Sequence, residues 1–199
     1  MAEYFDIVDE NGEPTGEVTE REYAHTHGVR HRTSHLWLVG NREGKLCVLL
    51  QKRSKNKDSF PDCYDISSAG HIPAGDGYRQ SAVRELREEL GISAREDELI
   101  YCGDRRITID SEFHGKAFCD RQCSRVFMLW CDLEESDFVL QEEEVESVRW
   151  IPLEECIEGV RSGSLKSCIA MEELEILASA LEREENVTER TAKCTENSK

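Results

Sequence analysis

Residues 70–92 read GHIPAGDGYRQSAVRELREELGI, a glycine-bearing turn that runs into a helical stretch and crowds Glu85, Glu88 and Glu89 near its end. At about 100° per residue, Val83, Leu86 and Leu90 lie within roughly 60° of one another and form an apolar stripe. The spacing predicts a helix over residues 77–91 that stops at Gly91, a residue suited to a left-handed cap. The three glutamates share about 100° of an adjacent face. Like charges at these spacings repel by roughly 0.2–0.5 kcal/mol per pair, and the macrodipole disfavours anions in the last turn. On its own such a cluster reads as a solvated face of an acidic protein. A hard divalent cation changes that balance, because carboxylates converging from successive turns are the oxygen ligands it prefers. Gly70, Gly75 and Gly77 allow a tight turn whose backbone can approach a cation or a phosphate. Arg84 stands one turn before Glu88, where its guanidinium can fix that carboxylate.

Working outward, FDIVDENGEPTGEVTE reads as a hairpin turning at Asn11-Gly12, and TEREYAHTHG as a short polar helix or loop. HLWLVG and KLCVLLQKR form a second hairpin over residues 35–53, and YDISSAGHI is extended. Beyond the central helix, ELIYCGDRRITI and SRVFMLWCDL are strands separated by an irregular loop, DSEFHGKAFCDRQ. EVESVRWIP is a further strand, followed by the helical stretches LEECIEGVRSG and SCIAMEELEILASALERE. Hairpin-linked strands with one central and two late helices imply an α/β fold, a mixed sheet covered by helices. Residues 1–183 read as a single domain, and residues 184–199, polar and without a period, as a disordered tail.

The balance of 25 Lys+Arg against 42 Asp+Glu gives a net charge of −17, which argues against nucleic acid or an anionic membrane as partner. The N-terminal residues show no signal-peptide pattern and no apolar run is long enough for a membrane helix, so the expected location is cytoplasmic. Nine scattered cysteines without a C-x-x-C pair read as reduced thiols, mostly small core residues. Cys119 and Cys123 are a weak metal candidate with no second pair at zinc-site spacing.

The stretch 70–92 resembles the Nudix box: Gly70, an acid six residues on, then Arg84, Glu85, Leu86, Glu88, Glu89, Gly91 and Ile92 at matching positions. Asp76 departs from the glutamate usual in that pattern by one methylene. The resemblance implies a Nudix-type α/β/α sandwich, with Mg²⁺ or Mn²⁺ held by Glu85, Glu88, Glu89 and the Gly70 carbonyl. The implied reaction is hydrolysis of a diphosphate in a nucleoside diphosphate derivative or a related small diphosphate. A carboxylate must take the proton of the attacking water, and Glu88 and Glu144, in the acidic run QEEEVE, are both candidates. Arg84, Glu88, Glu89 and Glu144 are thus the candidate catalytic residues.

Residues 4–155 are also similar to isopentenyl diphosphate isomerases and the Nudix hydrolases that resemble them, through the run from Arg21 to His31, LLQKRSKNKDSFPDCYD and SAGH. That likeness implies that Arg21, Arg53 and Lys57 grip the substrate diphosphate. His25, His31 and His71 are similar to the second metal site of those isomerases. Read by themselves, His25 and His31 are loop caps or pocket lining rather than ligands, and His71 is either a structural hydrogen-bonding residue or a contact to a metal or phosphate. The isomerases' catalytic cysteine and glutamate fall at Ala69 and Gln122, neither of which transfers a proton usefully, so hydrolysis is favoured over isomerisation. Isoprenoid diphosphate hydrolysis, and a non-catalytic module binding a phosphorylated metabolite, are the remaining alternatives. A homodimer is implied only at family level.

Overall fold

The computed structural model describes residues 2–57, 59–113 and 115–196, with backbone alone at residue 185 and from residue 187 on. The strands are β1 (Tyr4–Val8), β2 (Pro14–Glu20), β3 (His31–Arg42), β4 (Lys45–Arg53), β5 (Tyr64–Asp65), β6 (Ser68–His71), β7 (Ile100–Phe113), β8 (Lys116–Trp130) and β9 (Val145–Pro152). The helices are α1 (Arg21–His27), α2 (Tyr78–Leu90), α3 (Leu153–Ser162) and α4 (Met171–Glu196). β1 and β2 form a separate hairpin, and the other seven strands make one mixed sheet in which β3 pairs parallel to β8 and antiparallel to β4 and β6.

β3 is buried from His31 through Gly40 because both faces of the sheet are covered. Strand alternation sends Leu36 and Leu38 to the layer beneath α2, where they meet Leu86, Leu90 and Phe127. Trp37 and Val39 point to the opposite layer, beneath α3 and α4, with Cys156, Leu174 and Leu177. The result is the three-layered α/β/α arrangement expected from the sequence. A buried ionic group pins α4 to the sheet: Glu173 bonds His35 of β3 at 3.1 Å and Arg105 of β7 at 3.0 Å. No helix among the described residues is long and apolar enough to cross a membrane.

Two segments differ from the sequence reading. The expected irregular loop at residues 110–124 is the distal half of a long hairpin, with β7–β8 pairing continuing out to Phe113↔Lys116. DSEFHGKAFCDRQ has no β-branched residue to announce a strand; ladder pairing and cross-strand contacts such as Arg121–Asp110 at 2.7 Å hold it extended. α4 also continues through residues 184–196, where the sequence suggests disorder. No glycine or proline interrupts that stretch, so a helix nucleated on the packed Leu174, Leu177 and Leu181 propagates along it. Residues 197–199 of the expected tail lie outside the described residues.

Candidate active site

α2 begins at Gly77, in extended conformation, and ends at Gly91 with φ 72°, as its sequence predicts. Its buried side differs from the expected stripe. Ser81, Ala82, Leu86, Glu89 and Leu90 are buried while Val83 is only half-buried, so the inward face is turned toward the acids and takes Glu89 with it. Glu89 is 5 % exposed, and its Oε2 has no hydrogen-bond partner among the described residues. Burial, reinforced by the nearby Glu85 charge, pushes the Glu89 carboxyl up to about 8. Burial likewise raises Glu85 to about 7, against the opposing pull of Arg84.

Arg84 bridges the acids. Its Nη2 lies 2.8 Å from Glu85 Oε1, its Nη1 lies 3.0 Å from Glu88 Oε2, and Nη2 also donates to the His71 carbonyl at 3.2 Å. The guanidinium therefore provides the counter-charge between two carboxylates that would otherwise repel. Gly70 is required for space: a Cβ there would fall 2.2 Å from Glu85 Cδ. Gly70→Ala is expected to push the Glu85 carboxylate aside and weaken any divalent-cation binding at these glutamates roughly 10- to 100-fold, checked by calorimetry, with the fold retained by circular dichroism. Asp76 is engaged locally, accepting from Gln80 at 3.2 Å and, through its carbonyl, from Arg32 at 2.9 Å.

Glu144 and the basic candidates border this face. The chain before β9 is tied to the end of α2 by Val139 N–H to the Leu90 carbonyl and Gln141 N–H to the Glu89 carbonyl. Ser54 N–H in turn bonds the Glu144 carbonyl, which brings in the loop after β4. On that loop Lys57 forms an ion pair with Glu144, and its ammonium is close enough to Glu89 to feel that charge. Arg53, expected to grip the diphosphate, also holds its own loop. Its Nη1, Nη2 and Nε donate to Asp65, the Ser59 carbonyl and the Phe60 carbonyl, so the fork is spent on shaping the loop. The clamp holds Phe60 at φ 48° and neighbours Asp62 at φ 59°, conformations that side-chain-bearing residues adopt at a cost. Arg21 bonds Glu3 at 2.8 Å and is 49 % exposed, leaving most of its donors toward solvent.

The three histidines read singly as caps or pocket lining converge. Successive residues of a strand point to opposite faces, so on β6 Gly70 meets Glu85 while His71 meets His25 and His31. The ligand atoms of His25, His31 and His71 lie within 4.8 Å of one another, the only such group of three or more among the described residues. His25 Nε2 and His71 Nε2 are 3.1 Å apart, so one ring donates to the other. His31 shares Nδ1 with the Val29 carbonyl at 2.8 Å, and its buried Nε2 has no hydrogen-bond partner. Asp120 Oδ1, equally unpartnered, lies 3.5 Å from that nitrogen. Phe5 stacks on His31 and His71 at 4.9 and 4.8 Å. Burial is the main force lowering all three imidazoles, His25 to about 4, which keeps them neutral and able to ligate. Cys119 and Cys123, by contrast, stand four residues apart along β8, about 13 Å at strand spacing and too far for one ion. The eight described cysteines are free.

The likeness to the isomerases groups these three histidines, but the residues alone do not, because they come from α1, β3 and β6, and the register Thr33↔His71 is what sets His71 beside the β3 end that carries His31. Ala69 and Gln122 line the same face. Gln122 donates to Asp120 at 2.6 Å and accepts from Thr33, which makes it a positioning amide.

Residues 29–167 match the NUDIX domain family. The chain belongs to the Nudix hydrolase family. An uncharacterized Nudix hydrolase of Clostridium acetobutylicum is 40 % identical over 144 residues, which is 72 % of this chain and 66 % of that protein. Nudix hydrolase 3 of Arabidopsis thaliana is 38 % identical over 153 residues, 75 % of this chain but 19 % of the plant protein, so this chain corresponds to only a part of that relative. Among solved structures, that of DR0079 from Deinococcus radiodurans superposes with a TM-score of 0.63 over 87 % of this chain and 98 % of the other, at 20 % identity, a likeness of fold. The two sequence relatives are named as Nudix hydrolases, not isomerases.

Proposed function

We propose that this Nudix chain is a divalent-cation-dependent hydrolase that cleaves the diphosphate of a nucleoside diphosphate derivative or a related small diphosphate. The observation that carries the reading is the buried acidic pair, Glu85 against Gly70 and Glu89 with an unpartnered oxygen, beside the Arg84-held Glu88. Two carboxylates kept out of water and partly protonated are an expensive arrangement that a hard cation relieves, and their all-oxygen character suits Mg²⁺ or Mn²⁺. Glu85, Glu88, Glu89 and the Gly70 carbonyl would hold that cation. When bound, it neutralises diphosphate oxygens and acidifies water at the site.

The chain's own groups do the rest. Arg84 keeps Glu85 and Glu88 oriented through its paired bonds. Lys57 and the half-exposed Arg21 supply positive charge for the substrate phosphates, with Arg53 acting through the loop it shapes. Glu88 and Glu144 remain the two candidates for the carboxylate that accepts a proton from the attacking water. His25, His31, His71 and Asp120 offer nitrogen donors with one carboxylate, a set suited to a borderline cation such as Zn²⁺ more than to Mg²⁺.

Phosphate release from a panel of nucleoside diphosphate derivatives and isoprenoid diphosphates, with and without Mg²⁺, tests this reading. Mg²⁺-dependent release from at least one class is expected. Release that ignores the cation, or isomerisation of an isoprenoid diphosphate without release, contradicts it.

A further inference from the structure

The two groups assigned above to opposite tasks, Lys57 to the substrate and Glu144 to the proton, are bonded to each other. A carboxylate whose lone pairs are held by an ammonium is a poor proton acceptor, and an ammonium held by a carboxylate is a poor phosphate ligand. We propose that Lys57 exchanges partners, pairing with Glu144 in the free protein and with the substrate phosphate in the complex. Glu144 then becomes a working base only when substrate is present. This rests on the hydrolase reading and deepens it.

The surroundings fit such an exchange. The backbone on both sides is fixed: Ser54 N–H bonds the Glu144 carbonyl at 2.9 Å, Lys57 N–H bonds the Ser54 carbonyl at 3.2 Å, and Arg53 clamps the loop through Ser59, Phe60 and Asp65. Only side-chain rotation is needed. Lysine suits the task, being a point charge on a flexible stem, where an arginine fork would be committed to one geometry. The Lys57 side chain is 22 % exposed, and its charge reaches Glu89, so a diphosphate arriving at the glutamates comes within its range. A diphosphate carries more negative charge than one carboxylate and outcompetes it. Gln141 N–H on the Glu89 carbonyl at 3.0 Å keeps the Glu144 segment at the end of α2, so the freed carboxylate faces the same space.

The water oxygen forms a bond to phosphorus, and its proton passes to the Glu144 carboxylate. The anhydride P–O bond breaks with its electron pair on the leaving phosphate, which takes the proton back from Glu144. Lys57 recaptures the carboxylate when phosphate departs.

The test uses the full chain with Mg²⁺. Calorimetry measures binding of methylenediphosphonate, whose P–C–P bridge resists hydrolysis, and steady-state kinetics follow the best diphosphate of the panel. Glu144→Gln should lower kcat by about 10²-fold or more. The same variant should bind the analogue several-fold more tightly than wild type, because Lys57 has lost its competing partner. Lys57→Met should weaken analogue binding and raise KM by roughly tenfold, with kcat held within about threefold. Lys57→Arg controls for folding and should show an intermediate KM. A static, purely structural ion pair would give matched losses in the two variants and no tighter binding in either. Analogue affinity in Glu144→Gln at or below wild type, or a kcat in Lys57→Met that falls as far as kcat/KM, overturns the exchange. Retained turnover in Glu89→Gln would instead overturn the hydrolase centre itself, so the two failures are distinguishable.

Discussion

Glu89→Gln is expected to reduce turnover of any substrate found by about 10²- to 10³-fold or more while leaving the fold intact. Glutamine keeps the shape of the side chain within the packing of Ala82, Leu86 and Leu90, so the core beneath α2 is undisturbed. What it removes is the ionisable carboxyl, whose buried Oε2 lacks a hydrogen-bond partner among the described residues and whose nearest donor is the Ser68 hydroxyl. If that oxygen serves a cation, its loss is paid in catalysis and not in folding. A merely structural glutamate would show the reverse, with activity tracking the folded fraction. Steady-state kinetics with thermal unfolding of the same preparation separates the two. As a control, Asp97→Asn alters an exposed carboxylate paired with Arg95 and should change turnover little.

The second large effect is on stability. Glu85 and Glu89 sit at about 7 and about 8 in the folded protein, above the ordinary carboxylate range they return to on unfolding. Between roughly pH 4.5 and 8 the unfolded chain has therefore released protons that the folded chain still holds. The stability these groups contribute is present at acid pH and is lost as pH rises through their folded values. Above the ordinary histidine value, from about pH 6.5 to 8, the metal-free protein should accordingly become less stable; below it the buried, neutral His25, His31 and His71 oppose the trend, and Arg84, Glu3, Glu88, Lys57 and Asp65 are the other charges in range of the two glutamates. A bound divalent cation should reverse the trend, because it favours the ionised form.

The chemistry-bearing pattern was legible where it is local. The spacing of Gly70, Arg84, Glu85, Glu88 and Glu89 along one turn and helix places them without any long-range information, and the caps of α2 at Gly77 and Gly91 follow from residue type. The inner strands of the central sheet were readable as apolar runs bounded by turn residues. What depended on tertiary pairing was not. The burial of Glu89 follows from how α2 is rotated on the sheet, which the Val83 stripe misjudges by about one residue. Arg53 looks like any exposed basic residue until its loop folds back over its guanidinium. The histidine group needs three elements in register, and the extended hairpin at residues 110–124 is held by pairing that its composition does not announce.

These buried carboxylates lack a partner, and the one proposed for them is a divalent cation. Thermal unfolding of the metal-free protein at pH 8, titrated with Mg²⁺, tests it most directly, since Mg²⁺ selects the oxygen ligands of the glutamates over the histidine nitrogens. The expected result is a rise in Tm of roughly 5–10 °C at about a hundredfold excess over Kd, smaller at pH 5 and largely absent in Glu89→Gln. A Tm that does not move with Mg²⁺, or that moves equally in Glu89→Gln, contradicts it.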